Sequence, residues 1–165
     1  MEIEYLKKMK ENPSIDKDYP MRGLSLDGIT ELELKLNNGL PFSKAFREFL
    51  FLGGDFNDLG IGPGYDIDFN LKNGEDYIQQ MEVYKGLMQK QGLSIDRPYI
   101  IFNPGDDSSF DFIYLDEGDN PRPQYFYISD SLMANESRIG DFPEKTFSEL
   151  IDRLVDFAIR GLQPF

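Results

Sequence analysis

The sequence predicts a single α+β domain: an antiparallel-rich sheet with helices before and after it, packed on the sheet. Two patterns make the prediction. Apolar residues recur every three or four positions up to Met88 and again from Phe147, whereas between Tyr99 and Ile128 the period shifts towards two. The 165 residues suit one domain spanning 1–165, with a core at about 24–160 and an N-terminal helix and loop over 1–23.

Taken in order, Ile3, Leu6 and Met9 lie at helical spacing and predict a short amphipathic helix, and the following stretch to Gly23, with Pro13 and Pro20, reads as a loop. Ile29, Leu32 and Leu36 mark a second helix, closed by Asn38-Gly39, residues that tolerate the left-handed conformation. Pro41 suits the first turn of a third helix that buries Phe42, Ala45, Phe46, Phe49 and Leu50 and ends at Gly53-Gly54. Residues 55–70 read as a loop followed by a short strand in which Tyr65, Ile67 and Phe69 alternate with Asp66 and Asp68. A fourth helix, capped by Asn73, carries the stripe Tyr77, Met81, Tyr84 and Met88 and stops at Gly92. Tyr99 to Phe102, Phe110 to Leu115 and Gln124 to Ile128 read as three strands close enough to pair antiparallel. The last helix is announced by a capping box at Thr146 and Glu149, and its apolar face is Phe147, Leu150, Ile151, Leu154, Val155 and Ala158.

Composition narrows the chemistry. Neither histidine nor cysteine is present, which removes Ser-His-Asp and Cys-His catalysis, disulfides and the usual zinc sites. With 17 basic against 30 acidic residues the net charge is −13, a sign that repels nucleic acid and anionic membranes. No stretch approaches the roughly 20 apolar residues of a membrane span, and the first ten residues lack the pattern of a signal peptide, so a cytoplasmic protein is expected. Two stretches concentrate the acid. Between Phe49 and Leu71 lie Asp55, Asp58, Asp66 and Asp68, and between Pro98 and Pro121 lie Asp106, Asp107, Asp111, Asp116, Glu117 and Asp119, with no Lys or Arg inside either.

Each alternative reading of these groups has an ordinary counterpart. Gly60 to Gly64 is glycine-rich like a phosphate loop, yet no GK[ST] follows and Pro63 removes a donor, which favours a plain loop. Asp116, Glu117, Asp119 and Asn120 offer oxygens for Ca²⁺ without the full EF-hand spacing, so a polar hairpin turn is favoured. Asp106, Asp107 and Asp111 could hold Mg²⁺ or act as an acid–base pair, against which stands a solvated turn or a protein-binding edge. No cofactor is expected.

The ordered set of elements resembles the SUKH superfamily, which includes the yeast cell-wall glucan-synthesis regulators and many bacterial immunity proteins. The resemblance runs over about residues 24–158. It is carried by Ile29-Thr30-Glu31-Leu32-Glu33 followed by Leu40-Pro41-Phe42-Ser43-Lys44-Ala45-Phe46-Arg47-Glu48-Phe49-Leu50, and by Tyr99 to Asn103, Phe110 to Asp116, Pro123 to Ile128 and the helix opened by Phe147. Departures are Phe46 where the family often has Tyr, Gly53-Gly54 in place of Asn-Gly, Asp106-Asp107-Ser108-Ser109 in place of a more glycine-rich turn, and a longer segment from Gly60 to Gly92. The resemblance implies an immunity protein, not an enzyme, that binds a cognate toxin and blocks its active site. Its other branch implies a regulatory scaffold, and a carboxylate-metal enzyme is the third reading. Because many such toxins are nucleases with basic clefts, the acidic residues Asp55, Asp58, Asp66, Asp68, Asp106, Asp107 and Asp111 are the expected partner contacts, with Tyr65 and Tyr125 as aromatic anchors.

Overall fold

The computed structural model describes residues 1–15, 20–61, 75–105, 109–127 and 138–162. The second expected helix forms as α2 (Leu26–Leu36), with α1 (Lys7–Glu11) before it and α3 (Lys44–Gly53) after it. Ser25 opens α2 by accepting the Gly28 N–H on its hydroxyl, and Asn38 and Gly39 close it with positive φ angles of 53° and 79°. Ile29 and Leu32 are buried, as the spacing predicts.

Helix α1 is shorter than expected. Ile3, Leu6 and Met9 are all buried, but residues 4–6 precede the helix, and their backbone is held by the side chain of Glu48 on α3. One carboxylate oxygen of Glu48 accepts the Glu4 N–H at 2.8 Å; the other accepts the Tyr5 and Leu6 N–H groups, each at 2.9 Å. Glu33 on α2 plays a parallel part, since its carboxylate accepts the Phe42 N–H at 2.8 Å and pairs with Arg47 at 3.1 Å. Asn37 donates to the carbonyls of Leu40 and Pro41. This pinning explains a correction to the sequence reading: Pro41 belongs to the fixed turn, and α3 starts three residues later at Lys44. The chain then passes α3 closely at Gly23, where a Cβ would lie 1.5 Å from the Phe51 carbonyl oxygen and no side chain fits.

Helix α4 (Glu75–Lys90) ends before Gly92, whose φ is 68°, and Tyr77, Tyr84 and Met88 are buried as expected. Among the described residues four antiparallel strands follow in sheet order: β1 (Tyr99–Pro104), β2 (Ser109–Tyr114), β3 (Pro123–Tyr127) and β4 (Arg138–Asp141). The fourth was not expected. On one face Phe110 and Phe126 sit opposite each other, and Tyr84 of α4 meets Phe110 at 4.6 Å between ring centroids. The Tyr77 hydroxyl accepts the Ile101 N–H at 2.7 Å and so occupies a donor of edge strand β1. The expected strand at residues 65–69 and the cap at Asn73 lie outside the described residues.

Helix α5 (Phe147–Ile159) joins the sheet to α3 through Phe147, whose ring lies 5.1 Å from Phe102, 5.9 Å from Phe46 and 5.7 Å from Phe49. Half of the expected capping box forms, with Thr146 accepting the Glu149 N–H, while the Glu149 carboxylate reaches one residue beyond the cap to accept the Lys145 N–H. The β2–β3 connection adds a second set of caps. The Asp119 carbonyl accepts the Ala45 N–H of α3 at 2.8 Å, the Pro121 carbonyl accepts the Phe147 N–H at 2.7 Å, and Asn120 accepts the Ser148 N–H at 3.0 Å. One loop therefore satisfies the starts of two helices.

Removing the Glu48 carboxylate strands three backbone donors, the Leu6 N–H buried and those of Glu4 and Tyr5 partly buried. Glu48→Ala is expected to cost about 3 kcal/mol or more in urea unfolding, and Glu48→Gln, which keeps one acceptor oxygen, should fall between. A loss under about 1 kcal/mol for the alanine variant contradicts this role.

Candidate functional site

The expected contact residues divide by location. Asp55 follows the end of α3 and pairs with Arg22 at 3.3 Å; the backbones of Arg22 and Phe56 are bridged beside it. Asp55 also lines a cleft of about 330 Å³ between residues 23–25 and α2, shared with Gly28, Glu31, Leu32 and Lys35. Asp58 is exposed on the next turn, which buried Asn57 shapes by donating to the Gly53 carbonyl and accepting the Leu59 N–H. Tyr65, Asp66, Asp68, Asp106 and Asp107 lie outside the described residues.

Asp111 and Tyr125 are brought together in the sheet, where they are register partners in a row running Asn103, Asp111, Tyr125, Gly140. Asp111 is partly buried rather than fully exposed. It lies on the face opposite Phe110 and Phe112, where its strand neighbour Ile113 is fully buried, and its carboxylate accepts a 2.8 Å hydrogen bond from Asn103. Burial pushes its carboxyl up to about 6, and the Asn103 bond only partly opposes the shift. Tyr125 is half-buried. Its ring meets Phe142 edge-on at 5.7 Å, carries the Arg138 guanidinium 5.9 Å from its centroid, and lies over Gly140, where a Cβ would come 2.5 Å from the phenol.

The second acidic stretch is also less bare than its composition implies. Arg97, one residue outside it, forks onto Asp116 through two nitrogens at 2.6 and 3.2 Å, reaches Glu117 at 3.1 Å, and lies 3.8 Å above the Tyr114 ring. The Arg97 pair draws the Asp116 carboxyl below its ordinary range. Glu117 additionally accepts the Arg122 N–H. Of the side chains considered for Ca²⁺, Asp116 and Glu117 thus face Arg97, Glu117 also the Arg122 amide, and Asn120 the start of α5. Among the described residues no group of three or more His, Cys, Asp or Glu is arranged to hold a metal ion, and no helix is long and apolar enough to cross a membrane.

Sequence reasoning passed over one surface feature. Leu26, Leu34 and Leu40 are exposed, off the buried Ile29–Leu32 side of α2. The available signal was their position: Leu26, Thr30 and Leu34 follow i, i+4, i+8 on a different line from the core stripe. Comparison with protein-family models, curated proteins and solved structures finds no match.

The fold holds the Asp111 proton more tightly than the unfolded chain does, so between about pH 4 and about pH 6 the native state binds it while the unfolded state releases it. Stability from this residue is present below that window and is lost as pH rises through it. Asp111→Asn, which retains an acceptor for Asn103, should therefore be more stable than the parent at pH 7 by on the order of 2 kcal/mol, and the two should converge near pH 4. Urea midpoints at both pH values check this; an equal difference at both contradicts it.

Proposed function

We propose that this chain is a non-catalytic binding protein that neutralises a cognate bacterial toxin by covering its active site. The observation that carries the reading is a division among the carboxylates. Those of Glu48, Glu33 and Asp111 are bonded inside the frame to the chain's own backbone and side chains, while acids outnumber bases 30 to 17 over the whole chain. A frame with no histidine or cysteine and no described metal cluster, carrying an excess of −13, suits recognition of a basic macromolecular surface better than bond-making chemistry.

The resemblance to the SUKH superfamily supports the same reading, because its ordered segments include α2, α3, the three longer strands and α5. An acidic protein seated on a basic cleft both accelerates encounter and occupies the place of a phosphate backbone. Arg22 and Arg97 neutralise part of the two acidic stretches, so the charge acts through the summed field of the molecule rather than through one uninterrupted patch.

The test is co-expression with each growth-arresting protein encoded by an adjacent gene, one of which should be neutralised and yield a complex on co-purification. Raising the salt from about 0.05 M to about 0.5 M should slow association far more than it speeds dissociation. Growth arrest in the presence of the folded chain, with no complex formed, contradicts the proposal.

A further inference from the structure

Helix α2 carries two adjacent stripes on its outer side. Leu26, Thr30 and Leu34 form one, and Asp27, Glu31 and Lys35, each one residue further on, form the next. Leu26 is 44% exposed and Leu34 65% exposed. The Thr30 hydroxyl is satisfied locally by the Leu26 carbonyl, so it makes no demand on a covering surface. The apolar stripe continues past the helix: Leu34 reaches over Gly39, where a Cβ would lie 3.3 Å from its Cδ2, and the next residue, Leu40, is 63% exposed.

This end is held rigidly. Gly39 N–H donates to the Glu33 carbonyl, Leu40 N–H to the Asn37 carbonyl, and the Asn37 side chain grips the Leu40 and Pro41 carbonyls from the other direction. Leu40 is therefore displayed on a fixed backbone, and covering it orders little that is not already ordered. Exposed leucines on a preorganised turn, flanked on one side by carboxylates, have the make-up of an interface centre with a charged rim.

We infer that the Leu26–Leu34–Leu40 face of α2 is the surface that docks the partner protein, against a patch that is apolar at its middle and basic at its edge. The inference rests on the binding reading above and names the surface through which it operates. Charge decides the occupant. Asp27 and Glu31 run beside the leucines, and Lys35 is already paired with Glu31 at 2.9 Å, so the rim keeps a negative balance on a chain of net −13. A basic surface complements that rim, whereas a second copy would bring like charge against like.

The experiment measures binding of the purified 165-residue chain to a basic toxin domain encoded by an adjacent gene, using the parent, Leu34→Glu/Leu40→Glu, the milder Leu34→Ala/Leu40→Ala, and Val83→Glu on α4. Val83 is 54% exposed on a different helix. Thermal unfolding confirms that each variant is folded. The account predicts roughly hundredfold weaker binding for the glutamate pair, about tenfold for the alanine pair, and parental affinity for Val83→Glu. Parental affinity in both leucine variants overturns the assignment of this face while leaving the binding function standing. Failure of the parent itself to bind overturns both. Sedimentation velocity of the chain alone adds one outcome: a dimer abolished by Leu34→Glu/Leu40→Glu assigns the face to self-association and overturns the basic partner.

Discussion

Three backbone N–H groups at the start of the chain converge on one fully buried carboxylate, and the packing of the helical layer follows from that convergence. Glu48 sits on α3 between Phe46 and Phe49, whose rings meet Phe147, the residue that joins α3 to α5 and, through Phe102, to β1. A buried carboxylate without donors is costly, and backbone N–H groups without acceptors are too; each arrangement satisfies the other. The contact spans more than forty residues of sequence, so it closes the N-terminal segment over the helices and brings Leu6 and Met9 into the core.

The same economy recurs at the other polar groups of the interior. Glu33 fixes the turn before α3, and the Asp119–Pro121 loop supplies acceptors for the first amides of α3 and α5, while the Ser43 side chain makes no cap. The Asp119 backbone and the Asn120 side chain thereby become parts of the frame. Arg97 likewise turns Asp116 and Glu117 into a closed network over Tyr114. What remains for recognition is the exterior: the negative field and the few apolar side chains that the core leaves uncovered.

Much of the fold was legible because it rests on local periodicity. The stripes of α2, α3, α4 and α5, the Thr146–Glu149 cap and the left-handed Asn38-Gly39 are encoded within a few residues of where they act. The fourth strand was not legible. It is four residues long, Arg138–Asp141, with one large apolar residue and a glycine, and its glycine is set by the Tyr125 ring across the sheet. Glu33 and Glu48 read as ordinary helix-surface acids, since nothing near them in sequence announces the distant amides they accept. Asp111 alternates with Phe110 and Phe112, but alternation alone does not tell that its own side of the strand is partly buried beside Ile113. The charge on the second acidic stretch was overstated because its neutralising residue, Arg97, lies just beyond the boundary drawn by composition. Of the expected contacts within the described residues, Asp55 and Asp58 lie near the end of α3, and Asp111 and Tyr125 form a sheet pair with a packing role.

The account holds that interior carboxylates build the frame and leave docking to its outer surface, with Glu48 as the first of these ties. Native-state hydrogen exchange at Glu4, Tyr5 and Leu6 tests that most directly. Protection matching the strands of the sheet, released only with global unfolding, is the predicted result. Exchange at the rate of a frayed chain end, with the sheet still protected, contradicts it.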